Sequence, residues 1–352
     1  MIHLDHNATS PVLSEVLEAM APWWGVPANP SSVHGFGRAA ARAVSDAAVE
    51  VSALVGGRPE GVVFTSGATE ANHAWFHAVR AGSIAVGSYE HPCVVAAARR
   101  SGTIVPVPMG SDGVAVLEGV PATDGTSLMA VNHETGVVQP LEALRKRSGW
   151  RHVDATAAAG RVPLDLGWAE AVVMSAHKLG GPMGVGALVL RDAEPIPALL
   201  EGGGQQRGRR AGTLPTPLIV GFAAAARLAR EELEARRARW AGQRARLVRA
   251  VEALGGEVQG RDVVPSVLNV VFAGLPAETL VQALDLRGVA VSAGSACASG
   301  SVEPSPVLQA MGHPEPDGGL RISLGPRTSD AEVDTFLGAI EPVVTGLRSF
   351  LG

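Results

Sequence analysis

Seven short apolar runs between Val62 and Arg191 alternate with stretches of helical periodicity. The runs are "VVFT" (62–65), "SIAVGS" (83–88), "TIVPVPM" (103–109), "SLMAVN" (127–132), "RHVDA" (151–155), "AVVMSA" (171–176) and "GALVLR" (186–191). Helical patterns such as "GRAAARAVSDAAVEVSALV" and "TEANHAWFHAVR" lie between them. A strand with one wet face alternates apolar and polar residues, whereas a strand that is apolar throughout has both faces covered. Such strands interleaved with helices predict an α/β fold with a mostly parallel central sheet. Ligand chemistry in such sheets gathers beyond the carboxyl ends of the strands.

The pattern continues into a long helix expected from about Pro217 to Leu254, and after "EALGG" it changes. "SVLNVVF", the helix "AETLVQALDLRG", "LRISLG" and a final helix from Ser329 form a smaller α+β unit. Ser329 and Glu332 stand at capping-box spacing. At roughly 150 residues per domain, 352 residues suit about two domains. The arginine-rich segment "EELEARRARWAGQRARLVRA" has acids interleaved and reads as a solvated helix face. With a net charge of −5 and no long block of one sign, nucleic acid is not the expected partner. "PTPLIVGFAAAARLA" is broken by Arg227 and is too short to span a bilayer, and "MIHLDHNATSPV" does not read as a secretory leader. Two distant cysteines, Cys93 and Cys297, supply neither a disulfide framework nor a metal cluster. They suit a reducing, cytoplasmic setting.

Only two of the 29 basic residues are lysines. Lys146 sits in the charged "LRKRSG", where arginine would serve equally well. Lys178 ends the apolar run of "VVMSAHKLGGPMG". Lysine can lose its proton and condense with a carbonyl, which arginine cannot do near neutral pH. In "TSGATEANH" a strand runs through Ser66 and Gly67 into a helix beginning near Ala68 and Thr69. The free N–H groups and dipole of that helix start attract phosphate. Ser175 and His177 add polar groups beside Lys178. Asp154 ends the strand in "HVDATAAAG", where a carboxylate needs a partner, and a pyridinium N–H would suit it. His91 in "YEHPCV" offers a flat ring at another strand end. A lysine, a phosphate cradle, a buried acid and a stacking imidazole together describe a site for pyridoxal 5'-phosphate.

Cys297 lies in "SAGSACASGSVEP", a loop of small residues that leaves a thiol accessible and reactive. Cys93, behind Pro92 at a helix start, reads as a cap substitute or a small core residue. Arg321 in "GGLRISLG" falls within a strand pattern and is a candidate for holding a substrate carboxylate.

Ten segments in order resemble the cysteine desulfurases of the class V branch of pyridoxal-phosphate-dependent aminotransferases. They are "LDHNATSPV", "NPSSVHGFGRAA", "VVFTSGATEANH", "EHPCV", "VNHETGVVQPL", "HVDATAAAGRVPLDL", "MSAHKLGGPMGVGAL", "RRAGTLPTP", "SAGSACASGSVEPS" and "LRISLG". The loop around Cys297 is similar to that of the extended-loop group. The resemblance implies a fold-type I homodimer. Its large cofactor-binding domain would span 14–255, and its small domain would combine 1–13 with 256–352. It also implies roles. Lys178 holds the coenzyme aldehyde, Asp154 pairs with the ring nitrogen, and His91 stacks on the ring. Ala68, Thr69, Ser175 and His177 bind phosphate, joined by Thr213 of the other subunit. Arg321 and Asn132 bind substrate, and Cys297 is the nucleophile. Sulfur leaves L-cysteine as a persulfide on Cys297, bound for an acceptor protein, and alanine remains. Other readings within this fold are a selenocysteine lyase, a C–S lyase that does not use Cys297, or a catalytically weakened homologue acting as a partner in sulfur transfer. The chain departs from the family pattern twice. His133 replaces the second residue of an Asn-Asn-Glu, and Ala157 replaces a glutamine. Both positions lie near the coenzyme's phenolic oxygen in the family, so His133 is expected to supply a compensating donor.

Overall fold

The computed structural model describes residues 1–193, 195–294, 305–313 and 319–351. Cys297 lies outside the described residues. The strands are β1 (Ile2–His3), β2 (Val62–Thr65), β3 (Ser83–Val86), β4 (Thr103–Pro106), β5 (Gly125–Met129), β6 (Trp150–Asp154), β7 (Ala171–Ser175), β8 (Gly186–Leu190), β9 (Glu257–Val258), β10 (Val267–Val271), β11 (Val289–Ala290), β12 (Ser292–Ala293) and β13 (Leu320–Ser323). Each of the seven predicted apolar runs contains or overlaps one strand of a single sheet, ordered β2-β8-β7-β6-β5-β3-β4. The sheet is mixed. β8 runs antiparallel to both β2 and β7, and the remaining pairs are parallel.

Period-two alternation sorts the strand side chains into two cores. Val62, Phe64, Val172, Met174 and Val189 face one layer, which includes the helices Ser14–Trp24, Gly35–Ala53 and Thr216–Glu231. Val63, Ala171, Val173, Leu188 and Leu190 face the other, which includes Ala68–Ala78 and Pro92–Ser101. The runs of β2, β7 and β8 are continuous because both faces are covered, whereas the edge strand β4 leaves Thr103 and Pro106 exposed.

A third core forms on the antiparallel sheet β12-β13-β10-β9. β1 pairs with β11 and places Leu4 in this core. The helix expected as one piece from Pro217 to Leu254 is two: Thr216–Glu231 and Leu233–Ala253, broken at Glu232. Glu232 holds Arg236 and Arg327 through its carboxylate, so a tertiary ion pair sits at the break. Trp240, Leu247 and Val251 of the second helix belong to the third core. An expected division at residue 255 would leave this helix with the large sheet, but its buried face is on the small one. The final helix opens at Asp330, and the capping box forms. Ser329 N donates to Glu332 Oε2 at 2.8 Å, and Glu332 N donates to Ser329 Oγ at 3.3 Å.

Candidate active site

A cavity of about 430 Å³ opens at the carboxyl ends of the parallel strands. Its wall includes Ala68, Thr69, His91, His133, Asp154, Ser175, His177 and Lys178. Eight sequence-predicted residues thus meet in one place. Lys178 closes the short 3₁₀ turn Ala176–Lys178 that follows β7. Leu179 N bonds back to Ala176 O, and the chain then turns through Gly180 at φ +83°. Asp154 is the last residue of β6. Its Oδ1 accepts from Thr156 N at 2.9 Å, and its Oδ2 accepts from Asn72 Nδ2 at 3.0 Å.

The helix Ala68–Ala78 has Gly67 at its N-cap, and no side chain caps it. Its leading N–H groups therefore face the cavity mouth without a side-chain acceptor. Gly67 is closely backed. A Cβ on Gly186 of β8 would come within 2.7 Å of Gly67 Cα, so the cradle requires glycine at 186.

Burial sets the charge states. His177 is pushed down to about 4 by desolvation and by Lys178. The His91 ring is also lowered, mainly by desolvation, with Asp154 opposing and Lys178 assisting. His133 is pushed well below the usual imidazole range by burial, His91, Lys178 and Arg321. Its Nε2 lies 3.8 Å from Glu134 Oε1, but burial also raises the Glu134 carboxyl. Both groups are driven toward neutrality, so this approach is not an ion pair.

Three predicted residues are not in the cavity wall. Asn132 is fully buried, with Oδ1 accepting from Glu134 N and Thr135 N, and Nδ2 without a partner. Arg321 lies behind His133. It donates to His133 O at 2.9 Å and to Asp5 Oδ1 at 2.8 Å, while its Nε has no partner. Thr213 is exposed and is not part of the cavity wall. Gly294 and Ser305, the described residues that bracket the Cys297 segment, both abut Glu134. Ser305 Oγ donates to Glu134 Oε2 at 2.5 Å, and a Cβ on Gly294 would meet the same oxygen at 2.7 Å.

Sequence reading missed several wall residues, among them Asn7, Glu90, Cys93, Met129 and Thr156. Glu90 is 1% exposed. Its Oε1 accepts from Met129 N at 2.6 Å, and its Oε2 has no partner. Asn7 Oδ1 and Thr156 Oγ1 on the same wall are likewise buried without partners. The one signal for Glu90 in the sequence was its place beside His91 at a strand end.

A lysine amine, a carboxylate, a flat imidazole and an uncapped helix start now share one cavity. The aminotransferase class-V family model matches residues 2–336. The cysteine desulfurase of Cereibacter sphaeroides is 39% identical over 99% of this chain and 97% of its own length. The chain belongs to the cysteine desulfurase family. A solved NifS-like protein superposes with a TM-score of 0.90 at 32% identity, over 98% of this chain and 99% of its own. SspA, solved in complex with cysteine, gives a TM-score of 0.81 at 28% identity, over 94% and 100%. The family depends on pyridoxal phosphate. Its fold-type I architecture is the one described above.

Proposed function

We propose that this cavity holds pyridoxal 5'-phosphate and that the chain uses it to take sulfur from L-cysteine, leaving alanine and a persulfide on Cys297. The observation that carries the reading is the meeting of Lys178, Asp154, His91 and the bare start of the helix Ala68–Ala78 around one cavity. The donor set fits the coenzyme part by part. Thr69, Ser175, His177 and the N–H groups at Ala68 suit phosphate. Asp154, steadied by Asn72 and Thr156, keeps lone pairs for a protonated ring nitrogen. The unpartnered Asn7 Oδ1 and Thr156 Oγ1 await polar company at the wall. When bound, the coenzyme supplies an aldehyde and an electron sink.

The remaining work falls to the chain. Lys178 anchors the coenzyme and, once substrate has taken its place, is the amine positioned to hold the α-proton. The orphan N–H groups of Asn132 and Arg321 are donors for the substrate carboxylate behind His133. His133 supplies the imidazole where the family has an amide, and the Ala157 methyl supplies no donor. The Cys297 thiolate attacks the substrate sulfur. An S–S bond forms as the carbon–sulfur bond breaks, and the carbon keeps the electron pair and is protonated to alanine. The bracketing of the Cys297 segment by Gly294 and Ser305 at Glu134, next to His133, supports that reach. A second copy of the chain brings Thr213 to the phosphate, and an acceptor protein collects the sulfur. Among the described residues no helix is long and apolar enough to cross a membrane.

The test is incubation with L-cysteine and a thiol reductant. Alanine and sulfide should appear one for one, and Cys297→Ser should stop both while the bound coenzyme keeps its colour. Undiminished sulfide from Cys297→Ser would replace this reading with a C–S lyase.

A further inference from the structure

Cys93 does not cap its helix. His91 does: its Nδ1 accepts from Cys93 N at 3.2 Å, at the start of the helix Pro92–Ser101. The Cys93 side chain instead enters the cavity wall. Its Sγ lies 3.0 Å from His91 Nδ1 and 3.4 Å from Asn72 Nδ2. Asn72, fully buried, donates from the same Nδ2 to Asp154 Oδ2 at 3.0 Å. A continuous polar chain therefore runs from the carboxylate that serves the coenzyme ring nitrogen to the imidazole that stacks on the ring: Asp154, Asn72, Cys93, His91.

The directions of these bonds are fixed by chemistry. Because a backbone N–H points at Nδ1, that nitrogen is an acceptor, and the neutral ring carries its proton on Nε2. Asn72 offers N–H to the sulfur's acceptor side. The thiol is pushed up to about 12 by burial, so it keeps its hydrogen, and His91 Nδ1, 3.0 Å from the sulfur, is placed to accept it. Nδ1 thus receives two donors, the Cys93 amide and the Cys93 thiol. Both oppose a proton at that nitrogen.

We propose that Cys93 is a positioning residue of the coenzyme site, whose thiol donates to His91 Nδ1 and holds the stacking imidazole neutral, with its proton on Nε2. The proposal rests on the pyridoxal-phosphate reading only for what His91 stacks upon. With Nδ1 occupied, His91 serves the cavity as a hydrogen-bond donor from Nε2 and is a poor base. The charged or titratable groups facing it are Cys93 on its own helix, Glu90 before it, Asp154 at the end of β6, Lys178 after β7 and His133 after β5. The His133 ring meets it edge-on, 5.6 Å between centroids. Asp154 favours the imidazolium, while burial and Lys178 oppose it. The thiol adds to the opposing side.

Two measurements on the holoenzyme test this. In the infrared, the S–H stretch that disappears in Cys93→Ala should lie below that of a free thiol and move up in His91→Phe. In ¹⁵N-histidine NMR, His91 should hold the Nε2–H tautomer. Its titration midpoint should rise by about one pH unit in Cys93→Ala, the worth of one neutral hydrogen bond. Cys93→Ser, which retains a donor, should restore the wild-type midpoint. An S–H band unmoved by His91→Phe would overturn the proposal. So would a midpoint unchanged in Cys93→Ala, or one shifted equally by Ala and Ser, since equal shifts mean the side chain merely fills space. Neither readout requires turnover, so they stand apart from the fate of the assigned reaction.

Discussion

Glu90→Gln is the substitution whose effect the structure defines most sharply. Burial, aided by Asp154, pushes the Glu90 carboxyl up to about 8 from 4.5. An acid raised on folding binds its proton more tightly in the native state. Its contribution to stability is therefore greatest at low pH and is lost as pH rises from 4.5 through 8. Each pH unit within that window costs about 1.4 kcal/mol. The loss is about 3 kcal/mol at pH 7 and levels off near 5 kcal/mol above pH 8. Glutamine keeps the shape and the acceptor for Met129 N, and it has no proton to lose. Denaturant unfolding of both holoproteins across pH 4 to 9 should show Glu90→Gln gaining on wild type through that window. The gain should level off above it. Parallel stability curves would refute the reasoning, because they would mean that Glu90 reaches water or a partner.

Two further substitutions test the framework. Gly186→Ala forces a methyl to within 2.7 Å of Gly67 Cα and 2.8 Å of Met174 O, both backbone. It should cost about 2–3 kcal/mol by overpacking and weaken coenzyme binding, measured by unfolding and by fluorescence titration. Trp240→Ala removes a side chain 2% exposed whose Nε1 donates to Gly325 O at 2.8 Å. It should cost about 3–5 kcal/mol in urea unfolding. A loss under about 1 kcal/mol would take the helix Leu233–Ala253 out of the third core.

The central sheet was legible because strands buried on both faces, such as β2, β7 and β8, are apolar almost throughout. Leu188 and Val189 face opposite hydrophobic cores. Two-residue strands such as β9 and β11 left no trace, since two residues carry no period. The break at Glu232 was invisible because "REELEA" contains neither proline nor glycine, and what sits there, Arg327, comes from the far end of the chain. Within the site, Lys178, Asp154 and His91 could be read because each places chemistry where an apolar strand ends. Asn72 and Cys93 could not. Both lie within helices, and their partners are set by how those helices pack. Arg321 was read as a substrate clamp, and the structure shows how much of it is already engaged, by Asp5 and by the His133 carbonyl.

The proposed reaction depends on a covalent bond between Lys178 and the coenzyme. Borohydride reduction of the holoenzyme followed by peptide mapping should place the pyridoxyl group on Lys178, in the peptide containing "SAHKLGG". Recovery of the label on Lys146 or the amino terminus, or in no peptide, would contradict it.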